Sequence, residues 1–353
     1  KSTFVLKSSA LTFPASTLSK LSCRAKSFTT LIFLPIESIR KKRVSGNIIA
    51  NGIPGKPPPV PTSNTFAPGK NFTTFAINMD TNIYCNEELL QINLFSYLDN
   101  QEDIFFSKIE YLNETFAKIR DVKNNVILIS GNSDREINDT IIRRAPKNIK
   151  YWLTQNANSE KILGIPIGLE NQIECKLKGH GVAWKHAIEK HKYISNQPCI
   201  TAVDDIYANF SISTNFNQRN AISKLCQSID YINCDIFDNH ADANTRSFYN
   251  YISKIKSHHM TICPPGNGID CHRMWEVLYL GRVPIVHKST VMSHFSELPI
   301  LYIQDWNQLY NKEYIFSEYH RVKNNNKQKL QFKYWESFIL SLRNRDIRSI
   351  KQI

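Results

Sequence analysis

Two patterns of hydrophobic positions alternate along this chain. Short apolar runs ended by Gly, Pro, Asn or Asp are typical of buried strands, whereas apolar residues at helical spacing predict amphipathic helices. Strands are predicted at 73–77, 125–130, 151–153, 162–167, 207–213, 260–263, 283–287 and 298–303. Helices are predicted at 86–98, 109–119, 184–191, 217–230, 249–256, 271–280, 313–319 and 329–342. Alternation of strands and helices along the chain indicates an α/β protein with parallel sheets.

The clearest unit is a strand, a glycine loop, a helix and a second strand within residues 258–305. The apolar run before the loop ends at a Pro-Pro pair, and the loop itself is Gly266–Gly268. Asp270 is a typical N-cap residue for the helix, and Gly281 is typical of the position after its last turn. The crossover between the two parallel strands should be right-handed.

This unit has the features of a phosphate site. A glycine loop that opens a helix leaves backbone N–H groups free, and the helix dipole adds partial positive charge there. Arg273 in the first turn can donate two bonds to phosphate oxygens, and Glu276 one turn later can accept from ribose hydroxyls. Lys288 follows the next strand at the sheet edge that binds ligands. From composition alone, an ordinary turn with a surface arginine and glutamate is an equal alternative.

The same stretch resembles a known family. Residues 264–286 read Pro-Pro-Gly-Asn-Gly-Ile-Asp-Cys-His-Arg-Met-Trp-Glu-Val-Leu-Tyr-Leu-Gly-Arg-Val-Pro-Ile-Val, which is similar to the donor-site motif of exostosin-like glycosyltransferases. In that family a Pro/Gly loop precedes a helix with Arg-x-x-Glu and then Gly-x-x-Pro-Ile-Val. The resemblance extends over about residues 120–310, through the stretches 147–157, 165–171, 210–219 and 298–306.

The resemblance implies a GT-B fold, in which two Rossmann-like domains face each other across a cleft. It implies an acceptor-side domain at 71–195, a nucleotide-sugar-binding domain at 196–325, and a last segment at 326–353 whose helix crosses back. It also implies an inverting glycosyltransferase with a nucleotide sugar as co-substrate, UDP-linked in many family members, and a glycan or other hydroxyl acceptor. No other cofactor and no metal are expected, because the helix dipole and basic side chains offset the pyrophosphate charge. The donor-binding residues implied are Gly266, Asn267, Gly268, Asp270, His272, Arg273, Glu276, Lys288 and Arg219.

An inverting displacement needs a base for the acceptor hydroxyl on the face opposite the leaving pyrophosphate. The donor half forms one wall of the cleft, so we expect the base on the other wall. Asp134 is the first acid beyond the predicted strand 125–130 and is our candidate catalytic base. The alternative that Asp134 caps a helix beginning near Arg135 has at least equal local support. Glu170 and Asp204 are the next candidates for the base.

Two other classes of function stay open. A different nucleotide-dependent α/β enzyme would have G-x-G-x-x-G after its first strand and an acid about 20 residues later. No such fingerprint occurs near residues 71–85. A non-catalytic nucleotide-sugar or glycan-binding relative is compatible with every motif described above.

The positive charge of the chain is concentrated in its first part. The 353 residues include 44 basic and 31 acidic ones, for a net charge of +13. Residues 1–79 hold eleven of the basic residues and one acidic residue, so the remainder is nearly neutral and nucleic acid is not an expected partner. Residues 1–70 are basic and rich in Ser, Thr and Pro, which predicts a poorly packed extension of the transit-peptide, linker or artefact type.

Membrane, metal and compartment signals are weak. No apolar run approaches the roughly 20 residues that span a bilayer, although peripheral membrane contact through 40–43 is an option. None of the eight cysteines forms a Cys-x-x-Cys pair, so we expect buried thiols and no zinc. We interpret Asp204-Asp205 as part of a loop and not as a metal site. Four Asn-x-Ser/Thr sequons permit a Golgi or other secretory location, and a cytoplasmic one fits a bacterial-like enzyme.

Overall fold

The computed structural model describes residues 89–100, 103–176, 186–198, 200–238 and 248–343. All of them belong to one compact unit that comprises residues 74–353. The predicted extension at 1–70, the strand at 73–77 and the first residues of the helix at 86–98 lie outside the described residues.

The first half of the described chain forms a parallel sheet. Its strands are β1 (Ile104–Lys108), β2 (Val126–Gly131), β3 (Ile137–Asn138), β4 (Ile149–Thr154), β5 (Ala157–Asn158) and β6 (Leu163–Gly164). Strands β1, β2, β4 and β6 pair in that order, and β3 and β5 form a separate parallel pair. Every residue of β2 is buried, as expected for a central strand of a parallel sheet with both faces covered. The helices of this half are α1 (Leu112–Arg120), α2 (Asp139–Ile142) and α3 (Ala187–Ser195).

The second half forms a five-stranded parallel sheet. Its strands are β7 (Asp204–Ala208), β8 (Ile232–Cys234), β9 (His258–Ile262), β10 (Val283–His287) and β11 (Leu301–Ile303). They pair in the order β11-β10-β9-β7-β8, so the order reverses between β7 and β9. Ligands of open α/β sheets bind outside the carboxyl ends of the strands at such a reversal. The helices are α4 (Phe216–Gln227), α5 (Phe248–Ser257), α6 (His272–Tyr279), α7 (Thr290–Ser293), α8 (Lys312–Val322) and α9 (Phe332–Leu342).

The two halves share one hydrophobic core. A single cluster of buried side chains contains Phe95 and Leu153 from the first half together with Trp275 and Leu278 on α6. The last helix adds to this contact, because the ring of Phe332 lies 5.4 Å from that of Phe95 in an edge-to-face pair. Just beyond α9, Arg343 forms an ion pair with Asp103 at the start of the first sheet. The last helix therefore packs against the first half, where the resemblance to GT-B enzymes placed it.

The predicted α/β fold with parallel sheets is confirmed, but the sequence analysis missed the strands β1, β3, β5 and β8, and several predicted elements have different ends. The strand predicted at 162–167 ends at Gly164, and the one predicted at 298–303 begins at Leu301. Pro166 and Pro299 have no N–H for a sheet hydrogen bond, which accounts for both differences. Residues 92–100 form a 3-10 helix, where an α-helix was predicted.

The interpretation of Asp204-Asp205 as a loop was wrong. These two acids are the first residues of β7, and Asp205 forms an ion pair with Lys312 at 2.5 Å. Within the described ranges, no group of three His, Cys, Asp or Glu side chains is arranged to hold a metal ion. None of the helices in the described part of the chain is both long and apolar enough to cross a bilayer.

Candidate functional site

A cavity of about 620 Å³ lies at the carboxyl ends of the strands, where the sheet order reverses. Loops that follow β2, β6, β7 and β9 line it, together with residues of α3, α5 and α6. From the first half come Asp134, Glu170 and Lys190. The second half contributes most of residues 266–276. The cavity therefore lies between the two halves, where the resemblance to exostosin-like glycosyltransferases implies a ligand cleft.

The glycine loop forms one wall of this cavity, and the side chain of Arg219 contacts the residues just before the loop. The Arg219 guanidinium is buried and donates to three backbone carbonyls, those of Pro265 at 2.8 Å, Ser211 at 2.9 Å and Pro264 at 3.2 Å. Burial lowers the pKa of Arg219 to about 10. The resemblance implied Arg219 as a donor-binding residue, and the structure shows that its guanidinium joins the residues just before the glycine loop to Ser211.

Gly268 brings this loop against the first half. A β-carbon at Gly268 would lie 3.0 Å from Nδ2 of Asn156 and 3.3 Å from the α-carbon of Asp134. A side chain here would therefore push the loop away from the turn that follows β2. Gly266 closes the loop itself, since its N–H donates to the carbonyl of Gly268 at 3.0 Å.

Helix α6 begins without a side-chain cap, and the prediction that Asp270 caps it was wrong. The N-cap residue is Cys271, which makes no side-chain cap bond. Asp270 instead accepts from the N–H of Ile167 at 2.7 Å and from the indole N–H of Trp275 at 2.7 Å. Its own N–H donates to Asn156 Oδ1 at 2.9 Å. The first N–H groups of α6 thus stay available to a ligand, while Asp270 joins the two halves.

Asp270 gives a prediction about stability. Burial raises its pKa from 3.8 to about 7, although the bonds from Ile167 and Trp275 work in the opposite direction. Because the folded-state pKa is the higher one, the contribution of Asp270 to stability is complete below pH 3.8 and is lost as the pH rises towards 7. In Asp270→Asn the amide N–H2 cannot accept, so one buried donor loses its partner at a cost of about 1–3 kcal/mol.

Urea denaturation at pH 5 and pH 8 measures both effects of Asp270→Asn. The variant should be less stable at pH 5 and should lack the part of the pH dependence that Asp270 causes. Asp121→Asn changes an exposed acid after α1 and should keep the wild-type pH dependence. If the unfolding free energy of Asp270→Asn changes between pH 5 and pH 8 as much as that of wild type, this carboxyl does not titrate between these pH values.

Arg273 lines the cavity one residue into α6. Its Nε is buried and has no hydrogen-bond partner within the described residues. Buried donors in folded proteins nearly always have a partner, so this N–H is open to an acceptor from water or a ligand. Phosphate oxygens suit it, because a guanidinium can bind them in a two-pronged arrangement. The structure thus brings Arg273 and the open start of α6 to the same cavity, as predicted.

Glu276 lies deeper in the cavity, within a buried network that the sequence did not reveal. Its carboxylate accepts from the hydroxyl of Tyr251 at 2.5 Å and forms an ion pair with Lys190 of α3. Lys190 also forms an ion pair with Glu170. Burial lowers the pKa of Lys190, but the carboxylates of Glu276 and Glu170 together raise it by more. The pKa therefore lies above its usual value, and the ammonium stays charged. Lys190 therefore connects a carboxylate of each half across the cavity.

Glu170 is the second carboxylate of this network. Burial raises its pKa, but Lys190 and His272 lower it more strongly, to about 2. One of its oxygens, Oε2, is buried without a hydrogen-bond partner in the described structure. His272 lies in the same part of the cavity, with Nδ1 2.8 Å from the carbonyl oxygen of Gly168. A carbonyl only accepts, so Nδ1 of His272 must carry a proton.

Of the remaining candidate site residues, Asp134 lines the cavity, whereas Asp204 and Lys288 do not. Asp134 is exposed and lines the cavity from the first half. The alternative that Asp134 caps a helix was wrong, because the next helix is α2, capped by Asn138. Asp204 lies at the amino end of β7, at the sheet edge opposite the cavity. Lys288 is exposed after β10 and is not among the residues that line the cavity.

Comparisons with known proteins give one family match and a more distant structural likeness. Residues 206–353, somewhat less than half of the chain, match the family model described as the RXYLT1 C-terminal domain. This segment begins within β7, extends past α9 and includes all of the implied donor-binding residues. No curated protein matches the chain.

Two crystal structures of alpha1,3-fucosyltransferase are similar to this chain, and one of them is described as a complex with GDP-fucose. Their TM-scores are 0.38 and 0.36, and each is 12% identical over 72% of this chain and 85% of the fucosyltransferase chain. These values are too low for the activity of the fucosyltransferases to be transferred to this chain.

Proposed function

We propose that this chain is a glycosyltransferase that moves a sugar from a nucleotide sugar to a hydroxyl of a glycan or other acceptor. The proposal rests on the cavity at the reversal of the sheet order, where the uncapped start of α6 and the unpartnered Nε of Arg273 meet. That combination suits a pyrophosphate, because it provides free N–H groups, a helix dipole and a guanidinium. The resemblance of 264–286 to exostosin-like enzymes and the match of 206–353 to the RXYLT1 C-terminal domain support it.

The nucleoside would occupy the part of the cavity around Glu276. Tyr251 and Phe248 of α5 and Phe237 also line the cavity and offer aromatic surface for a base. Glu276 accepts bonds from Lys190 and Tyr251, but an ionised carboxylate has about four acceptor positions, so ribose hydroxyls can still be bound. We propose a UDP-linked sugar as donor, in line with the exostosin-like resemblance.

The proposed reaction is a direct, inverting displacement. The acceptor oxygen forms a bond to the anomeric carbon while the bond from that carbon to the phosphate oxygen breaks, and its electron pair leaves with the nucleoside diphosphate. Asp134 takes the proton of the acceptor hydroxyl. Arg273 and the start of α6 stabilise the charge that develops on the leaving diphosphate, which is a transition-state role. With these groups in place, we expect the transfer to need no metal.

Hydrolysis of a panel of nucleotide sugars tests the proposal most directly. We expect slow release of nucleoside diphosphate from one or a few donors, together with calorimetric binding of the matching free nucleoside diphosphate. The control is Glu313→Gln, which alters an exposed acid on α8 and should behave as wild type. If no donor is hydrolysed and no nucleoside diphosphate binds, the glycosyltransferase proposal is wrong. Binding without hydrolysis would indicate the non-catalytic relative.

Glu276→Gln is expected to weaken binding of the nucleotide sugar, the nucleoside diphosphate and the free nucleoside. The substitution removes the charge that Lys190 faces and one acceptor for ribose, so the loss should be on the order of 1.5–3 kcal/mol. Titration calorimetry with UDP and with uridine measures it. Because uridine has no phosphate, a loss limited to UDP would contradict the ribose role. If binding is intact and only turnover falls, Glu276 has a catalytic role instead.

A further inference from the structure

A second cavity, of about 880 Å³, lies on the other side of the glycine loop. It is formed by residues along the length of α4, by the residues that follow β9 and β11, by the end of β10 with the residues after it, and by Glu136 of the first half. Among the described residues, Gly266, Asn267 and Gly268 line both cavities. The second cavity thus lies at the same strand ends as the first, and the glycine loop forms part of the wall of each.

The side chains of the second cavity suit a saccharide. Trp306 and Tyr310 provide aromatic faces, and the Tyr310 side chain is 58% exposed. Aromatic rings present apolar surface that packs against the C–H faces of a sugar ring. The side-chain amides of Gln218 and Asn307 also line the cavity. Neither side-chain amide makes a hydrogen bond within the described part of the chain, and each can donate and accept. Sugar hydroxyls also donate and accept, so amides match them.

The charges of the second cavity argue against an anionic ligand. Its carboxylates are Glu136 and Asp305, and Lys224 is its only Lys or Arg among the described lining residues. Nothing there resembles the unpartnered Arg273 Nε of the first cavity. A phosphate or an acidic sugar would meet two carboxylates, which is unfavourable. The ligand that fits is an uncharged oligosaccharide, and the cavity lies in the size range of ligand pockets, about 300–1,000 Å³.

The loop between the cavities places such a saccharide next to the donor. Gly268 lies against Asp134, and Glu136 of the same turn lines the second cavity two residues later. A saccharide in the second cavity would therefore reach the first one at Gly266–Gly268, beside the candidate base.

We propose that the second cavity binds the acceptor as a neutral oligosaccharide. This proposal rests on the proposed glycosyltransferase function, because it assigns the first cavity to the nucleotide sugar. The glycine loop then separates the two substrates up to the point where the transferred sugar meets the acceptor hydroxyl.

Saturation-transfer NMR with neutral disaccharides tests the proposal on the full chain. The probes are cellobiose, xylobiose, lactose, maltose and chitobiose, each measured without nucleotide. At least one should bind, and Trp306→Ala should weaken that binding about tenfold through loss of aromatic packing. Gln218→Ala changes an exposed residue of α4 and should also weaken disaccharide binding. This second variant keeps the test valid if Trp306→Ala folds poorly. Tyr111→Ala removes an exposed aromatic of the first half and serves as the control.

UDP affinity, measured by calorimetry on the same variants, separates this proposal from the proposed function. We expect UDP to bind Trp306→Ala and Gln218→Ala as it binds wild type. The acceptor assignment is overturned if none of the five disaccharides binds, if both variants bind them normally, or if Trp306→Ala loses UDP instead. If wild type does not bind UDP while Trp306→Ala loses a disaccharide, the donor assignment fails and the saccharide site stands.

Discussion

Asp134→Asn is expected to lower turnover about 10²–10⁴-fold while donor binding and fold stay intact. Asp134 lines the cavity from the half opposite α6, so it lies on the side from which an acceptor hydroxyl would attack. Asn is nearly the same size but cannot take up a proton. Because the capping alternative was wrong, loss of a helix cap does not complicate the result.

Steady-state transfer assays, together with UDP calorimetry, measure this effect. Turnover should fall in Asp134→Asn at saturating donor, while its affinity for UDP should equal that of wild type. Asp230→Asn, an exposed acid after α4, is the matched control. Near-normal turnover in Asp134→Asn would exclude Asp134 and leave Glu170, because Asp204 lies at the opposite sheet edge.

Arg273→Ala should weaken binding of the nucleoside diphosphate by on the order of 1.5–3 kcal/mol, the value of a charge-assisted hydrogen bond. The reason is that Arg273 Nε is buried in the cavity without a partner and would gain one from a phosphate oxygen. Turnover should fall further than affinity, because the leaving group carries more charge in the transition state.

Calorimetry with UDP and uridine distinguishes Arg273 from Glu276. Arg273→Ala should lose affinity for UDP and bind uridine normally, whereas Glu276→Gln should lose affinity for both. Arg273→Lys keeps the charge without the planar fork and should recover part of the UDP affinity. Unchanged UDP affinity in Arg273→Ala would rule out the pyrophosphate assignment.

Local patterns in the sequence predicted the fold class and the positions of the glycine loop and the helix after it. The apolar runs before and after the glycine loop became β9 and β10, and the Arg-x-x-Glu spacing placed Arg273 and Glu276 on α6, where both line the cavity. These features depend on residues that are close in the chain, so periodicity and loop chemistry are sufficient to predict them.

The sequence could not predict the contacts that join distant segments. Asp270 looked like a helix cap, but its acceptor capacity is used by Ile167, which is 103 positions away. Lys190 lies on a helix with no motif, and only the packing of α3 against α6 brings it to Glu276. Such pairings depend on how the two halves fit together, and no local propensity encodes that fit.

The bonds of Asp270, together with the core that both halves share, have a consequence for how substrates enter. Opening the cleft as a hinge would expose that core and break the bonds from Ile167 and to Asn156 at once. We therefore expect the free and nucleotide-bound chains to have nearly the same X-ray scattering profile. Admission and release of the nucleotide would then depend on rotamer changes of side chains such as Lys190 and Arg273, on a faster timescale than domain motions.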